Sequence, residues 1–295
     1  MILTAAPPPL LAGFGAAPGA SITEKFIYFS KCEWRKRGNP FRICCLPKDG
    51  DKGHLEGFSV LSKDVPWEVE STWSTFAAYF FILHVPLSFG ILPAIARILH
   101  QSVHDPVITV ASALTLQGTE LAGFLALLYY TGNNRNKLPC FFIGTSYSEQ
   151  RNWLKASALG IGFLLLLVLL TSLLADRLIG PKDIDNPILK EILLYSPISK
   201  STCFLLYCFV TPLLEETVYR GFLLTSIASG RKFWQAIGIS SFAFSLAHFS
   251  LENFLQLFII GCVLGSVYSW SGKLVSSVTV HSVYNAIILL FVSIS

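Results

Sequence analysis

From Trp73 to its end the chain alternates long apolar runs with short polar links. A helix needs about 20 largely apolar residues to cross a bilayer. Runs of that order lie at roughly 73–98, 106–131, 153–175, 201–228, 233–250, 254–270 and 274–294. None shows the period-two alternation of a membrane β-barrel strand. The pattern therefore predicts an all-α fold: a polytopic helical membrane protein with about seven or eight transmembrane helices. The 233–250 and 254–270 runs are short for a full span, and the 201–228 run is long enough to break in its middle. Trp67, Trp73, Trp153, Trp234 and Trp270 fall at or near run ends, where interfacial tryptophans sit.

The stretch before Trp73 is different. Its first 45 residues hold Lys25, Lys31, Arg35, Lys36, Arg37 and Arg42 against only Glu24 and Glu33, in a background of Ala, Gly and Pro. A basic, acid-poor segment without an apolar core is the pattern of an organelle transit peptide, and "FRICCLP" from Phe41 resembles a plastid cleavage region. The expected organisation is a transit peptide over 1–45, a polar segment without order over 46–72, and a helical membrane domain over 73–295.

Composition sharpens the class. The chain has 295 residues, of which 53% are hydrophobic and 14% charged. A soluble domain carries about a quarter charged residues, so the soluble class is excluded. A formal charge of +4, with no basic stripe interleaved with aromatics, argues against a nucleic-acid partner. Membrane lipid is the expected surrounding, and a membrane protein or peptide the expected substrate. The seven cysteines include no CxxC pair, so no disulfide framework is read from them.

Against this apolar background, "TPLLEETVYRGFLLTSIA" from Thr211 places Glu215, Glu216 and Arg220 within six residues. A charge at the bilayer centre costs about 2.5–3.5 kcal/mol on insertion scales. Glu216 and Arg220 are four apart and can pair along one helix face. Glu215 points about 100° away and is left without that cation. Two later runs offer it company. "FAFSLAHF" carries Phe244 and His248, and "VTVHSVYNAI" carries His281 and Asn285, each pair four apart. A carboxylate, two imidazoles and an amide can activate water and hold an oxyanion. By residue type, Glu215, His248 and His281 also suit a divalent metal such as zinc, the one cofactor these residues admit. His84 and Glu120 have no polar companion on their own helix faces and read as packing residues.

EExxxR (Glu215, Glu216, Arg220), FxxxH (Phe244, His248) and HxxxN (His281, Asn285) together resemble the signature of the CPBP family, the CAAX proteases and bacteriocin-processing intramembrane endopeptidases. The resemblance covers about residues 150–295, and the chain looks most like the plant plastid members. It implies a helical membrane fold enclosing a polar chamber. It implies that Glu215 and His248 activate the attacking water, that His281 and Asn285 stabilise the oxyanion, and that Glu216, Arg220 and Phe244 support the site. The expected function is a membrane-embedded endopeptidase in a chloroplast membrane, thylakoid or inner envelope. Two rivals stand beside it: a non-proteolytic scaffold that holds partner proteins, and a proton-coupled transporter. An endoplasmic reticulum membrane is the rival location, since prenylated CAAX proteins would be met there.

Overall fold

The computed structural model describes residues 57–90, 105–132, 138–143, 151–178, 180 and 187–294. The expected transit peptide over 1–45 lies outside them. The described elements are helical, with no strand among them. Helix α1 (72–90) opens as an α-helix at Thr72 and continues through π-helical turns. It is followed by α2 (Pro106–Thr131), the short α3 (Leu138–Ile143), α4 (Trp153–Leu178) and the short α5 (Pro187–Tyr195). Then come α6 (Pro197–Gly230), α7 (Phe233–Ala247), α8 (Phe254–Ser271) and α9 (Leu274–Ile294).

Start and stop signals are chemical. The Asp105 carboxylate accepts from the backbone N–H groups of Val107 and Ile108, with Pro106 at the first helical position of α2. Ser196 caps α6 in the same way, with Pro197 behind it. Helix α8 ends on Gly272, whose φ of 67° is the left-handed stop that suits glycine.

Among the described residues five helices are long and apolar enough to cross a membrane: α2, α4, α6, α8 and α9. The expectation of seven or eight spans is met only this far. The 233–250 run yields 15 helical residues, because the helix ends before His248. Of the 73–98 run, the described part ends at residue 90. The 201–228 run does not break. It is one helix of 34 residues, relaxed by π-helical turns at Leu206–Val210 and Thr217–Leu224. Such turns absorb a proline and a polar cluster without ending the helix.

Helices α7 and α8 form a tight pair. A Cβ on Gly261 would stand 2.8 Å from Ser241 Cβ, so only glycine permits that approach. The apolar core runs from α1 and α2 through α6 to α7 and α8, with Phe124, Leu223, Leu224 and Phe244 fully enclosed.

The described part of the 46–72 segment departs from the expected lack of order. Val60 N–H donates to the Ser269 carbonyl. Trp67 is 5% exposed, and its indole N–H donates to Ser226 Oγ at 2.7 Å. Rings of Phe141 and Phe222 lie 5.0 and 5.1 Å from it. Arg151 reaches the carbonyls of Gly57, Phe58 and Trp270. The segment is a clasp across one end of the bundle, and Trp67 is a core residue of that clasp instead of an interfacial anchor. A single Trp in a polar run did not announce this burial.

Candidate active site

The polar groups meet in a cavity between α1, α2, α6, α7 and α9, whose lining includes Glu215, His248, His281 and Asn285. Helix α6 supplies the carboxylates. Pro212 has no N–H, and Thr211 N–H bonds to the Leu206 carbonyl in the π-helical turn. The Tyr207 carbonyl, whose α-helical and π-helical partners would be Thr211 and Pro212, is thereby freed. Asn285 Nδ2 donates to it at 2.8 Å. One sequence feature in α6 thus fixes Asn285 in α9.

Glu216 is fully buried and doubly held. Arg220 Nη1 donates to its Oε1 at 2.9 Å, and His281 Nδ1 lies 2.9 Å from the same oxygen. Arg220 also donates to the Gly261 carbonyl at 3.3 Å and lies 4.4 Å from the centre of the Phe244 ring. Phe244 is therefore the seat of the guanidinium, a cation–π contact in a buried setting. The intrahelical pair follows from the spacing of four. The link from Glu216 to His281 does not, because it crosses from α6 to α9.

Glu215 is placed otherwise. His248 Nε2 stands 3.6 Å from its Oε1, and His281 Nε2 stands 3.6 Å from its Oε2. Both separations exceed a direct hydrogen bond. Oε2 is buried and has no hydrogen-bond partner. His248 Nδ1 lies 2.7 Å from the Phe244 carbonyl, which can only accept, so Nδ1 carries the proton. In neutral His248, Nε2 then presents a lone pair toward Glu215. Carboxylate and imidazole are both acceptors here, and a water with two O–H groups suits the gap between them.

The same three side chains match a zinc site by type, and each histidine has its second nitrogen held as metal-ligating histidines do. Among the described residues no group of three His, Cys, Asp or Glu side chains is arranged to hold a metal ion.

The opposite wall corrects the sequence reading of His84 and Glu120. They are partners of each other across α1 and α2, with His84 Nδ1 2.8 Å from Glu120 Oε1. Tyr79 Oη donates to the same oxygen at 2.6 Å, and Ser88 Oγ donates to Oε2 at 3.3 Å. Both line the same cavity as Glu215. Scanning each helix for companions on its own face missed a contact between helices. The available signal was an ionisable group in the interior of each run, His84 in 73–98 and Glu120 in 106–131.

Residues 197–287 match the family model of the type II CAAX prenyl endopeptidase Rce1-like proteins. Over these residues the chain resembles an Rce1-like domain. That domain begins at the start of α6 and reaches past Asn285 in α9. It contains Glu215, Glu216, Arg220, Phe244, His248, His281 and Asn285, while His84 and Glu120 lie before it. The family that this model describes is one of type II CAAX prenyl endopeptidases. No curated protein and no solved structure matches the chain.

Proposed function

We propose that the protein is a membrane-embedded endopeptidase that hydrolyses a peptide bond with water activated by Glu215 and His248. The observation that carries this reading is the Glu215 carboxylate set between two imidazole Nε2 atoms, each at 3.6 Å, in a cavity walled by apolar helices. A buried carboxylate is expensive in lipid, and a structural one takes close partners, as Glu216 does. The open coordination of Glu215 supports a role in chemistry.

In the proposed cycle, water lies between Glu215 and His248. Glu215 takes its proton as the water oxygen bonds to the scissile carbonyl carbon. The carbonyl π electrons move onto oxygen, and His281 Nε2 and Asn285 Nδ2 face that charge. On collapse the C–N bond breaks, and the Glu215 carboxyl returns the proton to the leaving nitrogen. Glu216 holds His281 Nδ1 and so fixes the ring's orientation, and Nε2 donates to the oxyanion when the ring carries both protons. Asn285 has a second amide N–H beyond the one given to Tyr207.

The basic, acid-poor first 45 residues support delivery to a plastid membrane, thylakoid or inner envelope. A reporter fused to residues 1–70 is expected in plastids; retention in the endoplasmic reticulum refutes that location. The function is tested by reconstituting wild type and Glu215→Gln in liposomes with extracted membrane proteins and profiling new peptide N-termini. At least one cleavage is expected to vanish in Glu215→Gln. Identical profiles would leave the scaffold reading in its place.

A further inference from the structure

We propose that His84 and Glu120, which lie outside the Rce1-like domain, are positioning residues that hold the end of α7 and so set His248 against Glu215. The proposal rests on the peptidase reading for its catalytic consequence, but its structural part stands separately.

Helix α7 ends awkwardly. His248 is its C-cap, and the next residue, Phe249, has φ of 48°. That left-handed conformation suits glycine or asparagine and is strained for a bulky aromatic residue. The last carbonyls of a helix also lack intrahelical donors. Something outside α7 must hold this end, and α1 meets both needs. His84 Nε2 lies 3.2 Å from the Ala247 carbonyl, the residue just before His248. A carbonyl only accepts, so His84 donates here and caps the helix end, where a positive or proton-bearing group is favoured. The Phe249 ring stacks on Phe80 at 6.0 Å and meets Phe89 edge-on at 4.9 Å.

Glu120 in turn aims His84. With Nδ1 held 2.8 Å from the carboxylate, the ring is turned so that Nε2 faces Ala247. Tyr79 and Ser88 fix the carboxylate in place. The chain of contacts runs Glu120, His84, Ala247 carbonyl, His248, Glu215. Glu120 is 1% exposed in an apolar helix. Simple packing would be served by leucine there, at no insertion cost. A carboxylate is explained by the need to orient a donor. Misplacing a catalytic group by about 1 Å lowers turnover by about a hundredfold.

The test uses the full chain in lipid, with ¹⁵N-labelled histidine and ring signals assigned by single histidine substitutions. In His84→Leu the His248 ring signal is expected to shift or broaden while the His281 signal stays, with helicity unchanged. Glu120→Gln, nearly isosteric, is expected to move the His248 signal in the same direction, and it decides the matter if His84→Leu does not fold. His84→Gln restores an N–H for the Ala247 carbonyl and is expected to return the signal toward wild type. With a quenched fluorogenic farnesylated CAAX peptide as the probe, kcat is expected to fall about 10- to 100-fold in His84→Leu, with KM within about threefold. An unmoved His248 signal in both variants overturns the proposal. Turnover that persists in Glu215→Gln sinks the role given to Glu215 instead, and the ring signals still decide whether α1 holds His248.

Discussion

One cavity contains two carboxylate–histidine groups built to opposite rules. Glu120 sits 2.8 Å from His84, with donors from Tyr79 and Ser88 on its oxygens. Glu215 sits 3.6 Å from each of two histidines, and one of its oxygens is buried without a partner. The first group is closed: its polar atoms are used up by the fold. The second is open, and its remaining valences face the cavity. Residue type does not separate them, though the Glu215 side chain is 18% exposed and that of Glu120 1%. The distance of the nearest donor does, because a satisfied carboxylate has no lone pair to offer to water.

The comparison makes claims that substitutions can break. The largest effect belongs to Glu215→Gln, which keeps shape and removes the base. Turnover is expected to fall at least about 10²–10⁴-fold, the usual contribution of a positioned general base, while the melting temperature holds. Proteoliposome cleavage beside a thermal melt measures both. A large loss of stability with activity retained would mean that Glu215 belongs with the closed group.

Glu216→Gln is expected to do the reverse. It takes the charge from Arg220 and His281 together, and breaking a buried pair typically costs about 3–5 kcal/mol. Low abundance and a lowered melt in detergent are the expected readouts; a stable variant would show that Arg220 is held by Gly261 and Phe244 alone. Asn285→Leu stands next. It leaves the Tyr207 carbonyl unpaired, at about 1–3 kcal/mol, and removes an oxyanion donor typically worth about 10²–10³ in turnover. Asn285→Asp keeps volume but cannot donate in either role, and is expected to lose both stability and turnover.

The smallest effect tests the closed group at its edge. Ser88→Ala deletes only the 3.3 Å bond to Glu120, and a stability change of about 1 kcal/mol or less is expected. A comparable loss from Glu215→Gln would erase the contrast between the two groups.

What could be read from the sequence depended on where the partner lay. The Glu216–Arg220 pair is four residues apart in one helix, and helical geometry alone gives it. The three motifs gave the polar residues of α6, α7 and α9. The Glu216–His281 contact and the His84–Glu120 pair join helices far apart in sequence, and no periodicity reports them. The capping of Tyr207 by Asn285 needed both Pro212 and a π-helical turn, and an apolar pattern shows only the proline. Apolar length hides where a helix ends: α7 stops at Ala247, where the chain turns at His248. The Trp67 clasp hid inside a segment whose average polarity looked like disorder.

The placing of Glu216 and Arg220 one turn apart also bears on biogenesis. A segment leaving the translocation machinery must partition into lipid before its neighbours are all available. Helix α6 carries its own counterion and can enter as a nearly neutral rod. Glu120 and His84 sit on separate helices, so α2 must either arrive with a protonated acid or wait beside α1. The order in which these helices become lipid-soluble is thus written in the sequence distance between opposite charges.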